Sequence, residues 1–164
     1  MTAADLHADL EALRPLVGVF AGEGEGDFPT VTRFRYHEEV SFLPRGPLLV
    51  YAQHTADPAS GRPMHAETGF LRRAGEVGIE LLLAHTFGLT ELQEGHLEAA
   101  PEAGVDLRLT LQSSAIGVAA TAKRVDAVRR QLTVTGDELV SELWMSYAGV
   151  DDTQHLRSVL RRTG

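Results

Sequence analysis

The chain predicts an all-β fold: an antiparallel meander closed into a barrel, with a short helix at either end. Three observations predict it. Period-two stretches follow one another with hairpin-length breaks, and no helical pattern comes between them. Gly18, Gly22, Gly24 and Gly26 fall in one strand-like stretch, residues 18–30, as where a strand bends sharply and backbone approaches something closely. Inward positions such as Val105, Leu107, Leu109 and Leu111 are strongly apolar, so the barrel is packed solid or holds an apolar ligand. Closure would remove the unpaired edges of an open sheet.

Residues 2–14 read as a short amphipathic helix. Thr2 is its N-cap with Asp5 three positions on, Leu6, Leu10 and Leu13 share a face, and Pro15 ends it. The glycine-rich stretch follows. It lacks the Gly-Lys-Ser/Thr of a phosphate loop, and it neither follows a strand nor opens a helix as a dinucleotide loop does. Strands are then predicted at 32–42 and 48–55, separated by the breaker-rich turn 44–47, and at 65–73 after the polar loop 57–63. Residues 75–78 separate that strand from 79–87. Further strands are predicted at 89–98, 105–112, 119–128, 131–135 and 139–148, with a tight hairpin turn at 135–138. Residues 151–162 read as a closing helix with Leu156, Val159 and Leu160 on its apolar side.

At 164 residues the chain reads as a single domain, 1–164, with no repeat or linker. Its formal charge of −8 offers neither a basic footprint for nucleic acid nor a polybasic membrane anchor. The absence of cysteine excludes disulfides, thiolate-bound zinc, iron–sulfur clusters and covalently attached c-type heme. The start lacks the basic and apolar runs of a signal peptide, and no stretch approaches transmembrane length. The expectation is a cytoplasmic protein; a homodimer is left open.

The histidines separate by strand parity. His7 and His96 fall where side chains meet solvent. His37 and His54 sit among polar neighbours, and Glu38-Glu39 after His37 suggests an outer face. His85 shares parity with Ile79, Leu81, Leu83 and Phe87 and so points inward, as a core histidine bonded to backbone or as a cavity-lining group. Pattern does not choose between these. His65 alternates with Glu67, Gly69 and Leu71, a mixed face suited to a cavity mouth, although a surface histidine beside a carboxylate is the plainer reading. Met145, in register with Leu139, Leu143 and Tyr147, reads as core. No Gly-x-Ser-x-Gly nucleophile and no His-x-x-x-His zinc spacing is present. His155 falls near the start of the expected closing helix, where the macrodipole favours a neutral ring able to ligate a metal and Asp151 and Asp152 oppose it.

Several stretches are shared in order and spacing with a known family. They are Gly18-x-Phe20-x-Gly22-x-Gly24 running into Phe28-Pro-Thr30, Phe34-x-Tyr36-x-Glu38-Glu39, His65-x-Glu67-x-Gly69-Phe70, Leu83-x-His85-x-x-Gly88-x-x-Glu91, Thr121-x-Lys123 and His155-Leu156. From about Leu13 to about Leu160 the chain resembles the nitrobindin family. The resemblance implies a ten-stranded up-and-down barrel similar to fatty-acid-binding proteins and lipocalins, holding one non-covalent heme b per chain. It implies His155 as the axial iron ligand, and His65, His85 and Met145 around the heme, with Lys123 a weaker contact. Gly18, Phe20, Gly22, Gly24 and Thr30 fall on the family's glycine motif, whose tryptophan is Phe20 here; phenylalanine keeps the apolar plate and lacks the indole N–H.

The implied activity is that of a ferric heme protein that binds nitric oxide and isomerises peroxynitrite to nitrate, with His155, His65 and His85 as the catalytic set. Two alternatives stand beside it: a carrier of a fatty acid or other small apolar ligand, and a heme carrier or sensor without catalysis. A terminal histidine ligand separates the first reading from the fatty-acid carrier.

Overall fold

Ten antiparallel strands close on themselves, each paired with its neighbours in sequence and the last with the first. The computed structural model describes residues 6–98 and 102–163. The strands are β1 Gly18–Phe28, β2 Val31–Arg45, β3 Leu48–Ala56, β4 Pro63–Ala74, β5 Gly78–His85, β6 Leu89–Leu97, β7 Leu107–Val118, β8 Ala127–Thr135, β9 Glu138–Tyr147 and β10 Val150–Arg162. The expected ten-stranded up-and-down barrel is therefore present. Among the described residues no helix is long and apolar enough to cross a membrane.

The N-terminal helix is a 3-10 helix, Ala8–Leu16, shorter and later than expected. The expected cap, Thr2, lies outside the described residues. His7 caps instead, its Nδ1 accepting from the Asp9 N–H at 3.2 Å. Pro15 lies inside the helix rather than after it. Leu10, Leu13 and Leu16 recur every three residues, and at three residues per turn they eclipse on one face. All three are fully buried against Phe20, Phe42, Leu49, Leu71 and their neighbours, so the helix plugs one end of the barrel.

Arg162 fixes that plug from the far end of the chain. Its guanidinium donates to the Pro15 carbonyl at 2.9 Å and to the Val17 carbonyl, and it lies 4.5 Å over the Phe20 ring. Gly18 makes this possible: its φ is +135°, and a Cβ there would stand 2.7 Å from Arg162.

Two expectations are corrected. Residues 151–162 form β10, not a helix. Leu156, Ser158 and Leu160 also alternate, and they face Gly26, Gly24 and Gly22 across the ladder. Ser158 interrupts the apolar run, which let a helical spacing of Leu156, Val159 and Leu160 compete. The barrel decides the matter, because without β10 both β1 and β9 would keep unpaired edges. The second correction concerns 119–128. Residues 119–126 form a connection, and the strand runs from Ala127 through 131–135 as one element, β8. Asp126, Arg129 and Arg130 had obscured its start.

Alternate residues along each strand run from the plugged end towards the opposite mouth. On β2 the inward series is Phe42, Val40, Glu38 and Tyr36; on β3 it is Leu49, Tyr51, Gln53 and Thr55. Apolar side chains fill the plugged half. Polar and ionisable ones appear midway, and this change of character places the site.

Candidate functional site

The deepest polar layer is a buried ion pair. Arg130 on β8 meets Glu67 on β4, with Nη1 2.6 Å from Oε1 and Nη2 3.3 Å from Oε2. The Tyr51 hydroxyl donates to Glu67 Oε1 at 2.5 Å and accepts from Arg130 Nη1 at 2.9 Å. Burial alone would raise the Glu67 pKa, but the guanidinium and the hydrogen bonds hold it well below the ordinary carboxylate value. Burial pushes the Tyr51 phenol well up, so it remains a donor.

His85 sits in this layer between two carboxylates. Its Nδ1 lies 3.0 Å from Glu67 Oε2 and its Nε2 2.8 Å from Glu91 Oε1. Burial lowers its pKa, but the bonds to both acids outweigh it and leave the imidazole at about 9. Gln93 donates to Glu91 Oε2 at 2.7 Å. His65 lies one step nearer the mouth, with Nε2 3.4 Å from His85 Nδ1 and 3.5 Å from Glu67 Oε2, and its ring stacks on Phe87 at 4.5 Å. Among the described residues Glu38 is the remaining buried acid. Gln53 donates to it at 3.1 Å, yet burial raises its pKa above the usual carboxylate value.

His155 faces this group from the other wall, and a β-bulge puts it there. Gln154 pairs with Trp144 and Leu156 with Leu143, leaving His155 as an extra residue with no partner on β9. His155 and Leu156, consecutive in sequence, both line the cavity; a regular strand would send them to opposite faces. His155 Nδ1 lies 3.1 Å from the Asp27 carbonyl oxygen. A carbonyl can only accept, so Nδ1 carries the proton and Nε2 the lone pair. Burial lowers the His155 pKa against that hydrogen bond, which favours the neutral ring. Phe28 and Phe34 pack edge-on at 5.5 and 6.1 Å.

The cavity between these walls has a volume of about 260 Å³. Phe34, Leu143, Met145 and Leu156 supply apolar lining beside His155, while His65, Glu67, His85, Glu91 and Arg130 form the polar wall. A neutral imidazole with its free nitrogen in an apolar-sided cavity is a donor suited to a heme iron. The volume lies just under the roughly 300–1,000 Å³ of common ligand pockets.

Of the residues singled out in the sequence, His65, His85, Met145 and His155 line this cavity. The others do not. Lys123 is exposed in the β7–β8 connection, and Thr30 is exposed in the β1–β2 turn. Phe20 is fully buried in the plugged half. Gly22 lies against β10, where a Cβ would stand 2.3 Å from the Val159 carbonyl. Gly24 and Gly26 serve the cavity indirectly: a Cβ would meet the rings of Tyr36 at 2.3 Å and Phe34 at 2.2 Å, and both rings line the cavity. His7, His37, His54 and His96 are exposed, as expected.

Sequence reasoning missed Tyr51, Gln53, Gln93 and Arg130, and it named Glu38 and Glu91 only within shared stretches, without a role in the site. Their signal was present. Each is a polar or amphipathic side chain at an inward parity position of an otherwise apolar strand, as in Leu49, Tyr51, Gln53.

Comparison with known proteins fits this architecture. The family described as the THAP4-like, heme-binding β-barrel domain matches residues 9–162. The chain belongs to this family. It is 46% identical over 160 residues to peroxynitrite isomerase 2 of Mycobacterium marinum, covering 97% of this chain and 98% of that protein. It is 46% identical over 158 residues to the peroxynitrite isomerase of Nocardia farcinica, covering 96% and 92%. The crystal structure of Rv2717c from M. tuberculosis superposes with a TM-score of 0.91 at 41% identity, covering 98% of this chain and all of that one.

Proposed function

We propose that the barrel binds one ferric heme b through His155, binds nitric oxide, and isomerises peroxynitrite to nitrate. The observation that carries this reading is the His155 ring, neutral, held through Nδ1 by the Asp27 carbonyl and presented to the cavity. The names of the relatives, peroxynitrite isomerases at 46% identity over nearly the whole chain, support the reaction.

Bound ferric heme would supply a Lewis-acid iron. The chain's own residues would do the rest. The Asp27 carbonyl fixes the His155 tautomer and ring direction, the second-sphere role that makes a ligating imidazole more basic. Phe28 and Phe34 restrict the ring's rotation. Met145, Leu143 and Leu156 would exclude water along the apolar side of the cavity. On the polar wall His65 is the histidine nearer the mouth, and it is placed to donate a hydrogen bond to a bound anion. The formal charge of −8 repels such an anion at long range, so attraction depends on the local positive groups Arg130 and His85.

The test is a hemin titration of the full chain followed by absorption, with His155→Ala beside it. The expected result is a saturable one-to-one Soret shift that the variant loses. The loaded protein should then hasten peroxynitrite decay and raise the yield of nitrate over nitrite. Equal hemin affinity in His155→Ala would overturn the ligand assignment. No shift in the wild type would leave the carrier of an apolar ligand as the better reading.

A further inference from the structure

The polar wall holds a donor set for which the heme reading has no use beyond a hydrogen bond from His65 and the local charge of His85. His65 Nε2, His85 Nδ1 and Glu67 Oε2 lie 3.0, 3.4 and 3.5 Å from one another. These are the edges of a triangle of two imidazole nitrogens and one carboxylate oxygen. Zinc–nitrogen and zinc–oxygen bonds are about 2.0–2.1 Å, and a tetrahedron on such bonds has edges of about 3.3–3.4 Å. The three atoms therefore stand close to where they would stand around one tetrahedral ion, without movement of the strands.

We propose that His65, Glu67 and His85 bind a divalent first-row ion, zinc by geometry, on the cavity wall that faces His155.

Three further observations support the site. In known metal histidines the second ring nitrogen faces a carboxylate. At His85 a carboxylate stands in that place, Glu91 Oε1 lying 2.8 Å from Nε2 and held in turn by Gln93, although Nε2 makes no aligned hydrogen bond and His65 Nδ1 is buried without a partner. Glu67 is fixed through its other oxygen, because Oε1 takes Arg130 and Tyr51 at 2.6 and 2.5 Å. Oε2, the oxygen that both imidazoles approach, has only the longer, 3.3 Å contact with Arg130.

Glu67 and Glu91 bring two negative charges, set against Arg130 and the proton on His85. Binding exchanges the proton between His85 and Glu67 for the ion, and that proton leaves to solvent. All three ligands line the cavity, so the fourth position opens into it, as in catalytic rather than structural zinc sites.

This inference goes beyond the proposed function and does not depend on it. The triad belongs to β4 and β5, whereas His155 belongs to β10. Were both sites filled, the wall would offer an anion a second Lewis acid where the overall charge is unfavourable.

The experiment is a cobalt(II) titration of the heme-free full chain, read in the visible d–d bands, with zinc as competitor. The expected result is one equivalent bound, with the intense bands of a low-coordinate site, bleached by one equivalent of zinc. His65→Ala should weaken binding at least tenfold, while His54→Ala, an exposed histidine, should not. Absence of saturable binding would overturn the proposal, and so would wild-type affinity in His65→Ala. Circular dichroism checks that the variants fold. His65→Asn serves if His65→Ala does not, since the His65 side chain is only partly enclosed and shortening it leaves the Glu67–Arg130 pair intact. Hemin titration of the same samples is scored separately, so failure of the metal site and failure of the heme site remain distinguishable.

Discussion

His155 Nδ1 lies 3.1 Å from the Asp27 carbonyl oxygen, and this bond exists only because β10 carries one residue more than β9 at that point. A bulge thus does what a helix N-terminus was expected to do. It gives a neutral histidine a fixed direction, and it gives that direction inward.

Removal of the bulge should therefore turn the proposed ligand away from the cavity without removing the barrel. Deletion of Gln154 brings His155 into the position opposite Trp144, where a regular strand points it outward. The deletion variant should keep its far-UV circular dichroism and lose hemin binding by at least tenfold. Unchanged hemin affinity would show that the strand re-forms the bulge, or that His155 is not the ligand.

How much of this was legible beforehand depends on what each residue type signals. The barrel was, because period-two stretches and short breaks repeat along the chain. His85 was placed inward by Ile79, Leu81 and Leu83, and Gly24 announced a close approach that proved to be the Tyr36 ring. His155 had the opposite parity to Leu156, Ser158 and Leu160, so a strand reading would have sent it outward; only the structure reveals the bulge. Arg130 and Glu91 were hidden for another reason. A charged residue in a strand reads as solvent-facing until its counter-charge is located, and Glu67 and Arg130 are separated by 63 positions.

The Glu67–Arg130 pair should be costly to break and cheap to replace. Loss of one member leaves the other charged and buried, for about 3–5 kcal/mol. Arg130→Met should lower stability to urea by that order. Glu67→Leu combined with Arg130→Met should recover a substantial part, because no unpaired charge is left. A double variant as unstable as the sum of the singles would mean that Tyr51 and His85, which also contact Glu67, carry the loss instead.

Glu38 predicts a pH dependence of stability. Its folded-state pKa is raised, with burial the principal cause. A raised carboxyl pKa means the folded state holds the proton more tightly than the unfolded state. The associated stability is full below the ordinary value of 4.5 and is lost as pH rises from there through the folded value. Each unit of displacement corresponds to about 1.4 kcal/mol. Glu38→Gln, neutral at every pH, should be more stable than the wild type at pH 8 and should lose that advantage at pH 4. An advantage that grows on acidification would contradict the sign.

The glycines of β1 divide into two kinds, and substitution should separate them. A Cβ at Gly22 meets the Val159 carbonyl at 2.3 Å, an atom of the β10 backbone that cannot yield without disturbing the ladder. A Cβ at Gly24 meets the far end of the Tyr36 side chain at 2.3 Å, and that ring borders the cavity and has room to swing into it. Gly22→Ala should therefore cost stability, on the order of 1–3 kcal/mol or more, as overpacking against fixed atoms does. Gly24→Ala should cost less stability and more ligand affinity, because the displaced phenol takes up cavity volume. The Gly24→Ala/Tyr36→Ala pair should recover hemin affinity relative to Gly24→Ala alone. Paired urea and hemin titrations on the three variants check this. A Gly24→Ala variant that is unstable yet binds hemin as the wild type does would place the Tyr36 ring outside the ligand's space.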